Sequence, residues 1–377
     1  MNGILDELMS STAIVRGQRF LSNSFCFDEE LNVETTIEDG TKDGWLACAE
    51  TDCSKAPRDL SRWLSKLSST PSCFRYFLDG SRRVFKLDDV EFDGKIYPIA
   101  AGQIGIGCCR REGRELAKEF FERGLVVVLP NCALKHQREY IRAELLKDIN
   151  ASATLTRHRL TIDKVLLYNL DADLSFEAKA IAAVQNYMLE RERLAVMKLI
   201  EQRKLRKGAY LIKDGSIEYR ADDYHAGDKF NWVLGVAKTF NASRCYVRLD
   251  RNRLYVDPML VARLNRFERT NAYRYPMRVS DREINFCVWY VRLHENRFAR
   301  NAFDGVLKVE KLMTPSEVKA GVDSERIDLI SAHLMRERNP VCYGADRRWA
   351  DHIYPMFVTE QLAKSNYISD RLFLKLF

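Results

Sequence analysis

Apolar positions recur at helical spacing near the start of the chain, in "ILDELMSSTAIV" and again in "APRDLSRWLSKLSS", where Leu60, Trp63, Leu64 and Leu67 share one face after a proline. The polar stretch "EDGTKDGWLACAETDCSKA" between them reads as a connecting loop. From residue 74 the period shortens. "CFRYFLDGSRRVFKLDDVEFDGKIYPIAAGQIGIGCC" runs in short apolar bursts with Gly80, Gly94 and Gly105 as turn points, and it predicts successive antiparallel strands. "EFDGK" reads as a plain hairpin turn. "REGRELAKEFFERG" reads as a helix with Leu116, Phe120 and Phe121 on its apolar side, and the unbroken "LVVVLP" after it as a buried strand.

Residues 136–207 read as mostly helical around a short strand, "KVLLYNL", and close with the longest helix, "SFEAKAIAAVQNYMLERERLAVMKLIEQRKL". Strand patterns follow in "GAYLIKDGS", "WVLGVAKTF", "CYVRLDRNRLYVDPML" and "INFCVWYVRLH", and helical ones in "RIDLISAHLMRERN" and "YPMFVTEQLAKSNYISDRLFLKLF". The succession predicts a mixed α/β fold. A helical and mixed segment at 1–70 precedes a main domain at 71–377, which carries a helical insertion at about 136–207. The apolar end "LFLKLF" is expected to be packed or to serve a dimer or partner surface.

Composition narrows the class. With 377 residues, 46% of them apolar and 30% charged, the chain buries a large core and is neither disordered nor fibrous. No apolar run reaches the roughly 18–20 residues that span a bilayer, and the first residues lack the pattern of a secretory leader. A cytoplasmic location away from membranes is expected. The ten cysteines lack Cys-x-x-Cys spacing and read mostly as reduced core residues; Cys48 and Cys53 come closest to a metal pair, but no second pair accompanies them. A net charge of +7 is compatible with a phosphate-binding surface without singling one out.

The candidate chemistry lies in a repeated triplet. Asp79-Gly80-Ser81 and Asp214-Gly215-Ser216 each follow an apolar, strand-like run. Asp-Gly is a common hairpin signal, but an aspartate at the end of a central strand also points into the crevice where open sheets place their sites. In the long helix, Glu192 falls on the stripe of Met188, Leu189, Ala195 and Val196, whereas Glu190 lies nearer the polar boundary. A glutamate in an apolar stripe calls for a partner. Convergence of Asp79, Glu192 and Asp214 would make a hard-oxygen site for Mn²⁺ or Mg²⁺, and paired ions of that kind activate water for phosphodiester cleavage.

The order of these features resembles the NurA nuclease family: a strand running into Asp-Gly-Ser, further antiparallel strands, an inward helix glutamate, and a second apolar run into Asp-Gly-Ser. "VLGVAKTF" with Lys238, "YVRLH" and "WADHIYPMFVTEQLAK" with His352 extend the likeness over most of 74–364. The resemblance implies an RNase H-like mixed sheet core with flanking helices and additional N- and C-terminal helical elements. It also implies a manganese-dependent nuclease acting on DNA, a homodimer, and partnership with a HerA-type hexameric ATPase in DNA end resection or anti-phage defence. Carried over by position, Asp79, Glu192 (or Glu190) and Asp214 would be metal ligands, Lys238 a stabiliser of phosphate charge, and His352 a ligand or proton-transfer group. The alternatives are a catalytically silent nucleic-acid-binding or scaffold subunit and, lower in rank, an Argonaute PIWI-type nuclease, for which no guide-binding module is evident. Arg82, Arg83, Arg110 and Arg111 read either as guides for a strand or as a solvated edge.

Overall fold

The computed structural model describes residues 3–377 except 16–17, 21–24, 27–44, 55–56, 68, 136–138, 172–173, 242–244, 251–252, 280, 296–301 and 339–352. The first part of the chain comprises α1 (Ile4–Ser10), β1 (Gln18–Phe20), β2 (Phe25–Cys26), β3 (Trp45–Ala47), β4 (Arg58–Asp59) and α2 (Ser61–Lys66). A meander of β5 (Phe74–Phe92), β6 (Lys95–Glu112) and β7 (Glu115–Pro130) leads to α3 (Glu139–Asn150), α4 (Ala153–His158), β8 (Lys164–Tyr168), α5 (Phe176–Glu201), β9 (Tyr210–Asp214) and β10 (Val233–Ala237). Then come β11 (Tyr246–Asp250), β12 (Arg253–Val256), α6 (Pro258–Ala262), β13 (Glu268–Arg269), β14 (Tyr273–Val279), β15 (Arg282–Arg292) and β16 (Val306–Leu312). The chain closes with α7 (Pro315–Ala320), α8 (Ser324–Arg336), α9 (Tyr354–Lys364) and α10 (Asp370–Leu376).

Thirteen described strands form one mixed sheet whose centre runs β16-β10-β9-β5-β6-β7-β8. β5, β6 and β7 are antiparallel neighbours, β9 is parallel to β5, and β10 is parallel to β9. Helices cover both faces, so the mixed α/β sheet with flanking helices and extra helical elements at both ends is present as expected. The first 70 residues are woven into this framework: β1 and β2 pair with β5, β4 pairs with β13, and β3 joins β12 in a small second sheet. At the other end, Phe373 and Leu376 of α10 are fully buried, with Phe373 stacked on Phe85, so the apolar tail packs within the chain.

Two local readings need correction. The segment read as a helix at "REGRELAKEFFERG" is a β-hairpin: Gly113, at φ +63°, reverses the chain, and β7 pairs with β6 from Glu115 onward. Its charged residues, which mimic the polar stripe of a helix, face partners on other elements. Glu122 meets Arg191 of α5 at 2.6 Å, and Glu119 meets Arg110 and Lys204. Tertiary pairing has overridden local helix preference. Second, Asp79 does not end a strand, because β5 continues unbroken through Asp79-Gly80-Ser81. The "EFDGK" hairpin is as read, with Asp93 and Gly94 both at positive φ, as a two-residue turn of that hand requires. Cys48 and Cys53 are joined as a disulfide, whereas Cys26, Cys73, Cys108, Cys109, Cys132, Cys245 and Cys287 are thiols outside any disulfide.

Strand alternation assigns each helix to a face. On one face α5 lies over Gly102, Leu78, Val84, Ile104 and Leu211, with Val184 against Gly102. On the other, α8 and α9 lie over Phe77, Ile212, Leu234 and Val236. α9 approaches the sheet closely because β6 presents glycines there: a Cβ on Gly105 would overlap the Ala363 carbonyl, and one on Gly107 would press on Ala363 N and Thr359 O at 3.0 and 3.1 Å. Buried Gln103 fixes the chain beyond α9, since its amide donates to the Ile368 carbonyl and accepts from the Ile368 N–H, both at 2.9 Å. Gly105→Ala is expected to lift α9 from the sheet and cost about 1–3 kcal/mol or more. A urea-unfolding midpoint equal to that of the wild type would contradict this seating.

Candidate active site

Asp79 and Asp214 meet because two parallel strands run in register. Leu78 of β5 lies opposite Lys213 of β9, so the next residue on each strand is an aspartate, and both aspartates project to the face under α9. Val236 of β10 lies opposite Asp214, and Lys238, two residues further on, shares that face. Its Nζ stands 2.8 Å from Asp214 Oδ2 and 3.5 Å from Oε2 of Glu360, the acid that α9 delivers to the same place.

Asp79 is 5% exposed, and among the described residues it has no direct ion-pair partner, because Lys238 engages Asp214 and Glu360 instead. Burial, reinforced by Asp214, lifts the Asp79 pKa far above the usual carboxylate range, with Lys238 pulling the other way. Burial also works against the charge on Lys238, but Asp214, Glu360 and Asp79 outweigh it and leave its pKa raised. The ammonium is therefore charged at neutral pH, and the acids around it exceed the positive charge available.

Glu192 occupies the opposite face of the same strand. Its carboxylate lies against Gly80, where any Cβ would collide with it. Its oxygen Oε2 is 2.7 Å from Nζ of Lys213, which is 1% exposed and donates to the carbonyls of Asp214 (3.0 Å) and Ser216 (2.9 Å). Burial opposes the charge on Lys213, yet Glu192 holds its pKa up. The pair thus braces the turn after β9 from behind, and Gly215 at φ +78° allows that turn. Both triplets converge on Glu192: Gly80 leaves room for it, and the 214–216 turn is tied to it through Lys213.

The structure therefore brings Asp79, Asp214 and Lys238 together on one face and places Glu192 across the strand, within electrostatic reach of Asp79 and Asp214. Glu190 points away, paired with Arg193 at 3.0 Å and Arg220 at 2.6 Å. His352 lies outside the described residues. Sequence reasoning missed Glu360 and Lys213. The signal for Glu360 was the one that exposed Glu192, an acid on a helix stripe with Met356, Thr359 and Ala363; the signal for Lys213 was a lysine alternating with buried Leu211. Arg82, Arg83, Arg110 and Arg111 are engaged internally, by Gln185, Asp370, Glu119 and Glu337.

The aspartate oxygens suit a hard divalent cation. Among the described residues no three acids, histidines or cysteines converge into a cage. Asp79 and Asp214 nonetheless fit a Mg²⁺- or Mn²⁺-type ion, which commonly takes one or two carboxylates and completes its shell with water and substrate phosphates. The uncompensated burial of Asp79 is what such an ion would relieve.

No family model matches the chain, and no curated protein matches it in sequence. Among solved structures it is similar to the NurA nuclease from Sulfolobus solfataricus, with a TM-score of 0.39 and 9% identity over 80% of this chain and 82% of that one. No described helix is long and apolar enough to cross a membrane.

Glu192→Ala is expected to cost about 3–5 kcal/mol, because it leaves Lys213 buried without its counter-charge. A Glu192→Met/Lys213→Met double variant should recover only part of that loss, because it also strips the Asp214 and Ser216 carbonyls of their donor. A loss below about 1 kcal/mol in the single variant, measured by urea denaturation, would remove the bracing role.

Proposed function

We propose that the protein is a metal-dependent deoxyribonuclease that hydrolyses DNA phosphodiester bonds, with Asp79 and Asp214 as the metal-holding pair. The observation that carries this reading is a buried aspartate with no ion-pair partner among the described residues, beside a second aspartate and a charged lysine. A bound Mn²⁺ or Mg²⁺ would supply Lewis-acid activation of water and phosphate. Lys238 presents a fixed positive charge toward the phosphate oxygens, and Glu360 holds that ammonium in place. Glu192 is a positioning residue that acts through Lys213 on the turn bearing Asp214. α9 roofs the Asp79 side of the sheet and limits water around the acids.

The HerA-type hexameric ATPase, the homodimer, the cytoplasmic location and a role in end processing or defence are proposals that rest on the sequence resemblance. One specific observation favours a second reading, a catalytically silent nucleic-acid-binding or scaffold subunit: lysines, not free space, stand against three of the four acids.

A cleavage assay separates the two. With Mn²⁺ and linear DNA, with and without a HerA-type ATPase, wild type is expected to cut. Asp79→Ala should be inactive while remaining folded, and Lys238→Met should be slowed by about 10²–10³-fold. Equal cleavage by wild type and Asp79→Ala would defeat the assignment, and no cleavage under any of these conditions would favour the scaffold.

A further inference from the structure

Arg82, Arg83, Arg110 and Arg111 of the meander are taken up by partners within the chain, so a cationic surface for a strand would lie at the far side of the sheet. One lies at the end of β15. Tyr290 of β15 is opposite Lys308 of β16, which is opposite Ala237 of β10, so the residues that follow β15 emerge at the same end of the sheet as Lys238. Two strand spacings, about 10 Å, separate β10 from β15. Beyond β15, Glu295 joins Asn265, Arg266 and Phe267 in lining a cavity of about 340 Å³.

The cavity is built around a strained aromatic residue. Asn265 to Glu268 form a tight turn closed by the Glu268 N–H donating to the Asn265 carbonyl at 3.1 Å, with Phe267 at φ +74°. That position ordinarily calls for glycine or asparagine, and a bulky side chain there is strained. The turn is held in place: the Phe267 carbonyl accepts from Leu60 N at 2.8 Å, and the Glu268 carboxylate accepts from Asn265 N at 2.7 Å.

Two guanidinium groups face the Phe267 ring, Arg266 at 4.2 Å and Arg338 at 5.9 Å from its centre. Glu295 takes Arg266 at 3.1 Å, and Arg338 donates only to the Met335 carbonyl, at 2.7 Å, among the described residues. Burial, and then Arg266, depress the pKa of Arg338; burial and the same two arginines bring His294 down to about 4. The local field is positive and receptive to an anion. A phosphate near Arg338 would supply a counter-charge that no described residue gives it, and the Phe267 ring with Arg266 over it offers a flat surface for a base.

We propose that Arg266, Phe267 and Arg338 form a docking pocket for single-stranded nucleic acid, with a backbone phosphate against Arg338 and a base on Phe267. This deepens the nuclease reading and rests on it only for the strand's destination.

The test is fluorescence anisotropy of a fluorescein-labelled dT12 in EDTA, where cleavage plays no part. Arg338→Gln and Phe267→Gly are each expected to weaken binding about tenfold, the first also lowering the slope of log K against log salt by about 1. Phe267→Gly relieves the turn but also removes a ring packed against the core, so Phe267→Leu, which keeps an apolar side chain there, is measured beside it: lost binding with an unchanged unfolding temperature separates lost stacking from lost folding. Binding in EDTA needs neither metal nor cleavage, so an inactive wild type that still binds dT12 through Arg338 and Phe267 would sink the nuclease reading and leave the pocket standing. Wild-type affinity in Arg338→Gln and in the Phe267 variants would overturn the proposal. So would a thermal shift with inorganic phosphate alone and no binding of dT12, since that result marks a free-anion site.

Discussion

The alternation of a β-strand governs this site. Successive residues of β5 face opposite sides of the sheet, so Asp79 and Gly80 serve two environments at one point of the chain. Asp79 joins Asp214 and Lys238 beneath α9, and Gly80 leaves space for Glu192 of α5. The register with β9 carries the same division onward, since Lys213 points back to Glu192 while Asp214 points forward to Lys238. A slip of one residue would exchange the faces and bury every charge against the wrong neighbour.

The two faces are energetically unlike. Behind the sheet, Glu192 and Lys213 are paired directly, and the ammonium also satisfies two backbone carbonyls, so desolvation is offset in part, although burial still raises the Glu192 pKa. In front, Asp79 is buried without such pairing among the described residues, and burial with Asp214 raises its pKa. Burial of an acid without a matching cation is a common mark of a functional position rather than a stabilising one. The close seat of α9 on Gly105 and Gly107 matters for the same reason, because it brings Glu360 within reach of Lys238.

Much of this was legible in the sequence. The runs into Asp79 and Asp214 mark central strands, and the long stripe of α5 marks Glu192 as inward. What could not be read was which side of the sheet Glu192 faces, because that depends on strand pairing between residues more than a hundred apart. The hairpin at 115–130 was hidden for a related reason: Glu119 and Glu122 look like the polar stripe of a helix, and only Arg110, Arg191 and Lys204, supplied by other elements, reveal them as partners of a strand face. Glu360 was within reach of the same stripe argument as Glu192 and was passed over beside the more conspicuous His352.

The central claim is that Asp79 is held in a place that demands a divalent cation. Thermal unfolding at pH 7.5, with and without Mn²⁺, tests it without reference to activity. In metal-free buffer Asp79→Asn should be more stable than the wild type, and Mn²⁺ should stabilise the wild type, by about 2.7 kcal/mol at a hundredfold excess over its Kd, with little effect on the variant. A variant less stable than wild type in metal-free buffer, or an equal Mn²⁺ response in both proteins, would contradict the account.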